Sequence, residues 1–179
     1  MTARLSFFSL ICVLSLPILV RAQGVTTATI DEALGRSGQK TGDVYRVSFP
    51  RTDLHVSVKG LAIEPGLALG SWAAFLGSDD NAMVMGDLVL LEEDLNPVMT
   101  KLRSSGFEIT AVHNHLMGET KVLYMHYMGH GSATQLATSL RTALAVSKTP
   151  LEKPAAAAEE PVPGLGENRR GRGRTQRHI

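Results

Sequence analysis

The sequence predicts an α+β fold: a mainly antiparallel sheet with two amphipathic helices packed on one face. Three observations predict it. Several short segments alternate apolar and polar residues at strand spacing. Two later segments repeat apolar residues at helical spacing. Their order runs several strands, a helix, two strands and a second helix, without the regular strand–helix alternation of a parallel sheet.

The elements follow in turn. Ile30 to Leu34 is a short helical stretch closed by Gly35, and the GRSGQKTGD around that glycine is loop chemistry. Val44 to Phe49 (VYRVSF) alternates and stops at Pro50. Leu54 to Val58 (LHVSV) alternates again, closed by Lys59-Gly60. Leu67 to Leu76 reads as a strand with a glycine break, and Asn81 to Leu91 is the strongest strand candidate of this half. In EEDLNPVMTKLRSSG, Leu95, Val98, Met99 and Leu102 fall at i, i+3, i+4 and i+7. Acids crowd its start, Pro97 fits a first turn, and Gly106 supplies the stop. Two strand runs come next, Phe107 to Leu116 and Val122 to Met128, joined by MGETK. In SATQLATSLRTALAVS, Ser132 and Gln135 form a capping-box pair, with Leu136, Ala137, Leu140 and Leu144 as the buried stripe.

The ends differ from the middle. Residues 1–22 read as a signal peptide: Arg4 gives the positive start, Leu5 to Val20 the apolar run, and Val20-Arg21-Ala22 the cleavage pattern. That run is shorter than the roughly 20 residues of a membrane span. Cleavage would leave no transmembrane span and remove Cys12, the one cysteine, which excludes disulfides and thiolate metal sites. Residues 26–147 are expected to form a single domain, about 120 residues, enough for one core. Residues 148–179, rich in Pro, Ala and Gly with a basic end, are expected to be a disordered tail. A net charge of +1 gives no push towards nucleic acid. The chain is therefore expected to be exported, periplasmic or secreted.

Four of the six histidines, His113, His115, His126 and His130, fall in AVHNHLMGETKVLYMHYMGH, residues 111–130. Residues two apart on a strand share a face. Phe107, Ile109, Ala111, His113 and His115 then lie together on one strand, and Val122, Tyr124, His126, Met128 and His130 on the other. Pairing as a hairpin would bring His113, His115 and His126 together, since cross-strand Cβ atoms lie roughly 4.5–5.5 Å apart. Glu119, in the loop, or His130 would supply a fourth ligand. Imidazoles with a carboxylate suit Zn, Mn, Fe or Cu, so the cofactor expected is a divalent transition metal. An open coordination position would suit hydrolysis or ligand binding. The alternatives are general acid–base work without metal, or a non-enzymatic module whose histidines line a small-ligand pocket or only satisfy backbone acceptors. Asp87 reads either as a partner fixing a histidine tautomer or as a strand-edge residue near a turn. Met83, Met85, Met125 and Met128 hint at copper(I), or fill a core. The H-x-H-x-x-x-E spacing is similar to the first cupin metal motif, but the helix before it does not belong in a β-barrel.

GRSGQKTGDVYRVSFPR (35–51), MGDLVLLEEDLNPVMTKLRSSG (85–106), ITAVHNHLMGE and YMHYMGHG (109–131) together resemble the repeated domain of the LppY/LpqO family, exported bacterial proteins of undescribed activity. The resemblance covers about 110 residues. It implies export, one repeat where relatives commonly carry two, and importance for HNH; it brings no substrate or cofactor. A single repeat implies a second copy of the domain as partner, by homodimerisation.

Overall fold

The computed structural model describes residues 24–117 and 121–152. The expected signal peptide, Glu119 and residues 153–179 of the expected tail lie outside the described residues.

The element order is α1 (Thr27–Leu34), β1 (Gln39–Thr41), β2 (Val44–Pro50), β3 (Val56–Val58), β4 (Leu61–Ile63), α2 (Pro65–Ala68), β5 (Gly70–Gly77), β6 (Ala82–Leu91), α3 (Glu92–Ser104), β7 (Glu108–His113), β8 (Val122–Gly131) and α4 (Ala133–Leu144). The main sheet has six strands in the order β1-β2-β5-β6-β8-β7, with every neighbouring pair antiparallel. Its centre is the long β6–β8 ladder, from Ala82 opposite Gly131 to Leu91 opposite Val122. The α+β reading holds.

Strand alternation sorts the two faces. Tyr45, Val47 and Phe49 of β2 and Ala82, Val84 and Leu88 of β6 are buried on one side. α1, α3 and α4 cover that side with Ile30, Leu34, Val98, Leu102, Leu136, Leu140 and Leu144. Each large apolar side chain so buried contributes about 1.5–3 kcal/mol, so this layer supplies most of the stability. One close approach depends on a missing side chain. Gly86 lies opposite Tyr127, and a Cβ there would collide with the Tyr127 ring and the Trp72 carbonyl. The Tyr127 ring fills the space over the glycine and donates its hydroxyl to Trp72 O at 3.3 Å.

Among the described residues the opposite face is covered at one end only. The β3–β4 hairpin and α2 pack there in a small cluster of Val56, Ile63, Leu69, Val89, Val122 and Tyr124. Arg51, fully buried, ties the layers together: it donates to Val89 O at 2.6 Å and to Asp53 Oδ2 at 2.9 Å. Elsewhere the face is open, with Met83 and Met85 exposed.

Several expectations need correcting. α1 joins the two expected helices on the covered face, and it runs a full eight residues, longer than the expected Ile30–Leu34, and packs on α4. The run from Leu67 begins as helix α2, with Pro65 at its first position, and the strand starts at Gly70. Leu54–Val58 is a strand only from Val56, and its partner β4 was not expected. The two-residue turn between them holds Lys59 at φ 51° and Gly60 at φ 79°, the left-handed pair that tight hairpins need. The GRSGQKTGD stretch contains edge strand β1. Ser132 makes no side-chain cap; its carbonyl accepts from Leu136 N instead. The packed chain also continues past residue 147: Thr149 is buried, Leu151 packs on the core, and Arg36 donates to Glu152 O at 2.8 Å. Among the described residues no helix is long and apolar enough to cross a membrane.

Candidate functional site

The histidine cluster forms on the open face, where β6, β8 and β7 run side by side. Its geometry depends on an irregularity in β7. Ile109 pairs with Tyr127, but the next paired residue is Ala111, opposite His126. One extra residue, Thr110, is thus inserted, and a bulge of this kind shifts the alternation. Ile109 therefore packs with the helices, while Ala111 and His113 sit on the open face with His126 and Tyr124. The expected grouping of Ile109 with His113 fails for this reason; the grouping of His113 with His126 stands.

The rings lie close. His113 is 4.7 Å from His115 and 4.9 Å from His126, centroid to centroid. His115 follows the strand end and stacks on Tyr124 at 3.7 Å. Tyr124 in turn donates its hydroxyl to Ala68 O at 2.7 Å, which anchors α2 beside the cluster. His130 is not part of the group: it lies four residues beyond His126 on β8, roughly 13 Å along the strand, opposite Met83. His55 lies just before β3, far along the chain from the cluster and exposed.

Asp87 completes the site. It pairs with His126 on one side and Trp72 on the other, is only 8% exposed, and its Oδ1 has no hydrogen-bond partner among the described residues. Burial raises its pKa above the ordinary carboxylate value, while His126, His115 and His113 pull it back down. Four groups able to share a cation thus face one another, one of them a buried carboxylate oxygen without a partner. As the side chains stand, no group of three or more His, Cys, Asp or Glu among the described residues is arranged to hold a metal ion. The planes of His113 and His126 are 24° from parallel, and the two rings stack face to face. The donor types and ring spacing fit a transition metal, and rotation of the rings is what coordination would require.

A cleft of about 390 Å³ opens beside the cluster, with Asp87, His115, Tyr124, Trp72, Arg46 and Ser48 among its lining residues. The Arg46 guanidinium sits 4.2 Å over the Trp72 ring. Sequence reading missed Arg46, Ser48 and Trp72. The available signal was parity: Arg46 and Ser48 are the outward positions of VYRVSF, and Trp72 is the single tryptophan.

No curated protein and no solved structure matches the chain. Residues 28–146 match the family described as Domain of Unknown Function (DUF1259). That match spans almost the whole of the folded part, from α1 through α4, and includes every residue of the cluster. The chain belongs to this family of unknown-function domains.

Proposed function

We propose that this is an exported domain that holds one divalent transition metal on the open sheet face through His113, His115, His126 and Asp87. The observation that carries the reading is the buried Asp87 Oδ1, without a hydrogen bond and opposite His126. A buried carboxylate costs stability unless it is paired, and a cation shared with three imidazoles would pair it. The metal would supply Lewis acidity or an activated water at the cleft mouth. Of the chain's own residues, Asp87 would balance charge, Tyr124 would hold the His115 ring in place, and Arg46 with Trp72 would flank the bound small molecule. Export rests on the expected leader of residues 1–22 and on the likeness of HNH and its neighbours to LppY/LpqO proteins.

The test is elemental analysis after loading with Zn²⁺ or Mn²⁺ and desalting. One equivalent is expected in the wild type, with loss in His113→Ala, His126→Ala and Asp87→Asn. A wild type without stoichiometric metal, whose melting point ignores chelator, would overturn the reading. The second reading, a metal-free ligand pocket, draws on the stacked His115–Tyr124 and Arg46–Trp72 pairs at the cleft. It predicts ligand binding that chelator leaves unchanged.

A further inference from the structure

The open face carries a second group of side chains that the histidine cluster does not use. Met85 lies directly opposite Met128, and Met83 directly opposite His130, two successive pairs on the same face of the β6–β8 ladder. Strand alternation puts all four on the face away from the helices, and His130, at the strand end, also borders a cleft beside Gln135 and Thr138 of α4. Met83 and Met85 are 37% and 50% exposed, so they fill no core; Met125, on the other parity of β8, is fully buried there. Solvent-facing strand positions favour β-branched and aromatic residues, and methionine brings no such advantage. The chain has seven methionines, and three of them meet on this patch.

The distances permit convergence. Cross-strand partners have Cβ atoms about 4.5–5.5 Å apart, and successive same-face rows are roughly 7 Å apart. An unbranched thioether with three rotatable bonds spans half of either gap. Three sulfurs and the His130 imidazole are thus within side-chain reach of a common point above the two strands. Glu108 of β7, the partner of Met128 on the outer side, places a carboxylate beside it.

We propose that Met83, Met85, Met128 and His130 form a site for a soft monovalent ion, copper(I) or silver(I). Thioethers select such ions, whereas harder divalent metals prefer imidazole and carboxylate, the chemistry found one row further along at Asp87 and His126. The two sets share a face but sort ions by ligand softness. This site does not depend on the divalent one.

The experiment is a silver(I) titration of the full chain labelled with ¹³C at the methionine methyls. The methyls of Met83, Met85 and Met128 should shift and saturate at one equivalent, while those of Met99 and Met125 stay in place. Replacing Met83, Met85 and Met128 with leucine should weaken silver binding more than about tenfold while leaving the melting point within a few degrees, because Met83 and Met85 are exposed and Met128 is only half-buried. Met85→Leu alone should weaken it in the same direction, and His126→Ala should leave it intact. Unchanged silver affinity in the triple variant would overturn the proposal. So would methyl shifts that follow protein concentration rather than silver, which would mark the patch as a contact face between two copies.

Discussion

Replacing Asp87 with Asn keeps the side chain's shape and removes its charge. Asp87 is 8% exposed and its Oδ1 has no hydrogen bond among the described residues, so it stands there as an unsatisfied buried acceptor. Such a group costs about 1–3 kcal/mol, more when ionised. Without metal, at pH 7, Asp87→Asn is therefore expected to be more stable than the wild type by about 1–2 kcal/mol. For a domain of this size that raises the melting temperature by about 3–8 °C. The pH dependence fixes the cause. The folded-state pKa of Asp87 lies above its unfolded value of 3.8, so the native state binds that proton more tightly than the unfolded chain does. Its favourable contribution is complete below pH 3.8 and is lost as pH rises through the folded-state value. The advantage of Asp87→Asn should thus vanish below pH 3.8 and grow above it. Adding Zn²⁺ should reverse the order, since a ligand at 100 times its Kd stabilises by about 2.7 kcal/mol and the variant loses a ligand atom. Thermal melts of both proteins from pH 3 to 8, with chelator and with Zn²⁺, read all of this. If Asp87→Asn is the less stable protein at pH 7 in chelator, the carboxylate is already well paired and the reasoning fails.

Two other substitutions test the frame that positions the site. Gly86→Ala places a Cβ against the Tyr127 ring and the Trp72 carbonyl at the centre of the sheet, and overpacking of this kind costs about 1–3 kcal/mol. A urea midpoint equal to the wild type's would refute that account. Arg51→Ala leaves the buried Val89 O without its donor and frees the exposed Asp53 under the small hairpin, and an unsatisfied buried acceptor costs about 1–3 kcal/mol. The loss should appear as a lower midpoint, together with faster hydrogen exchange in β3 and β4.

The periodicity of the chain determined much by itself. Alternation located β2, β6 and β8, and helical spacing located α3 and α4, because these patterns are set by side chains a few residues apart. Bringing His113 to the face of His126 needed the further assumption that the two strands pair as a hairpin, and the structure has that pairing. Local rules could not find the bulge at Thr110, whose extra residue turns Ile109 to the helices while leaving His113 on the open side. They found β3 within Leu54–Val58 but not its partner β4, a three-residue strand too short to show a period.

The tertiary structure decided which residues meet. Asp87 faces the histidines because β6 pairs with β8 in one register, and Trp72 borders it because β5 pairs with β6 in another. Arg46 arrives only through the further pairing of β2 with β5. Each register spans tens of residues and is fixed by burial of whole strand faces, so a one-residue slip would disperse the site while leaving every local pattern unchanged. Residue types and spacing therefore set the available chemistry, and sheet order set which of those groups share one cleft.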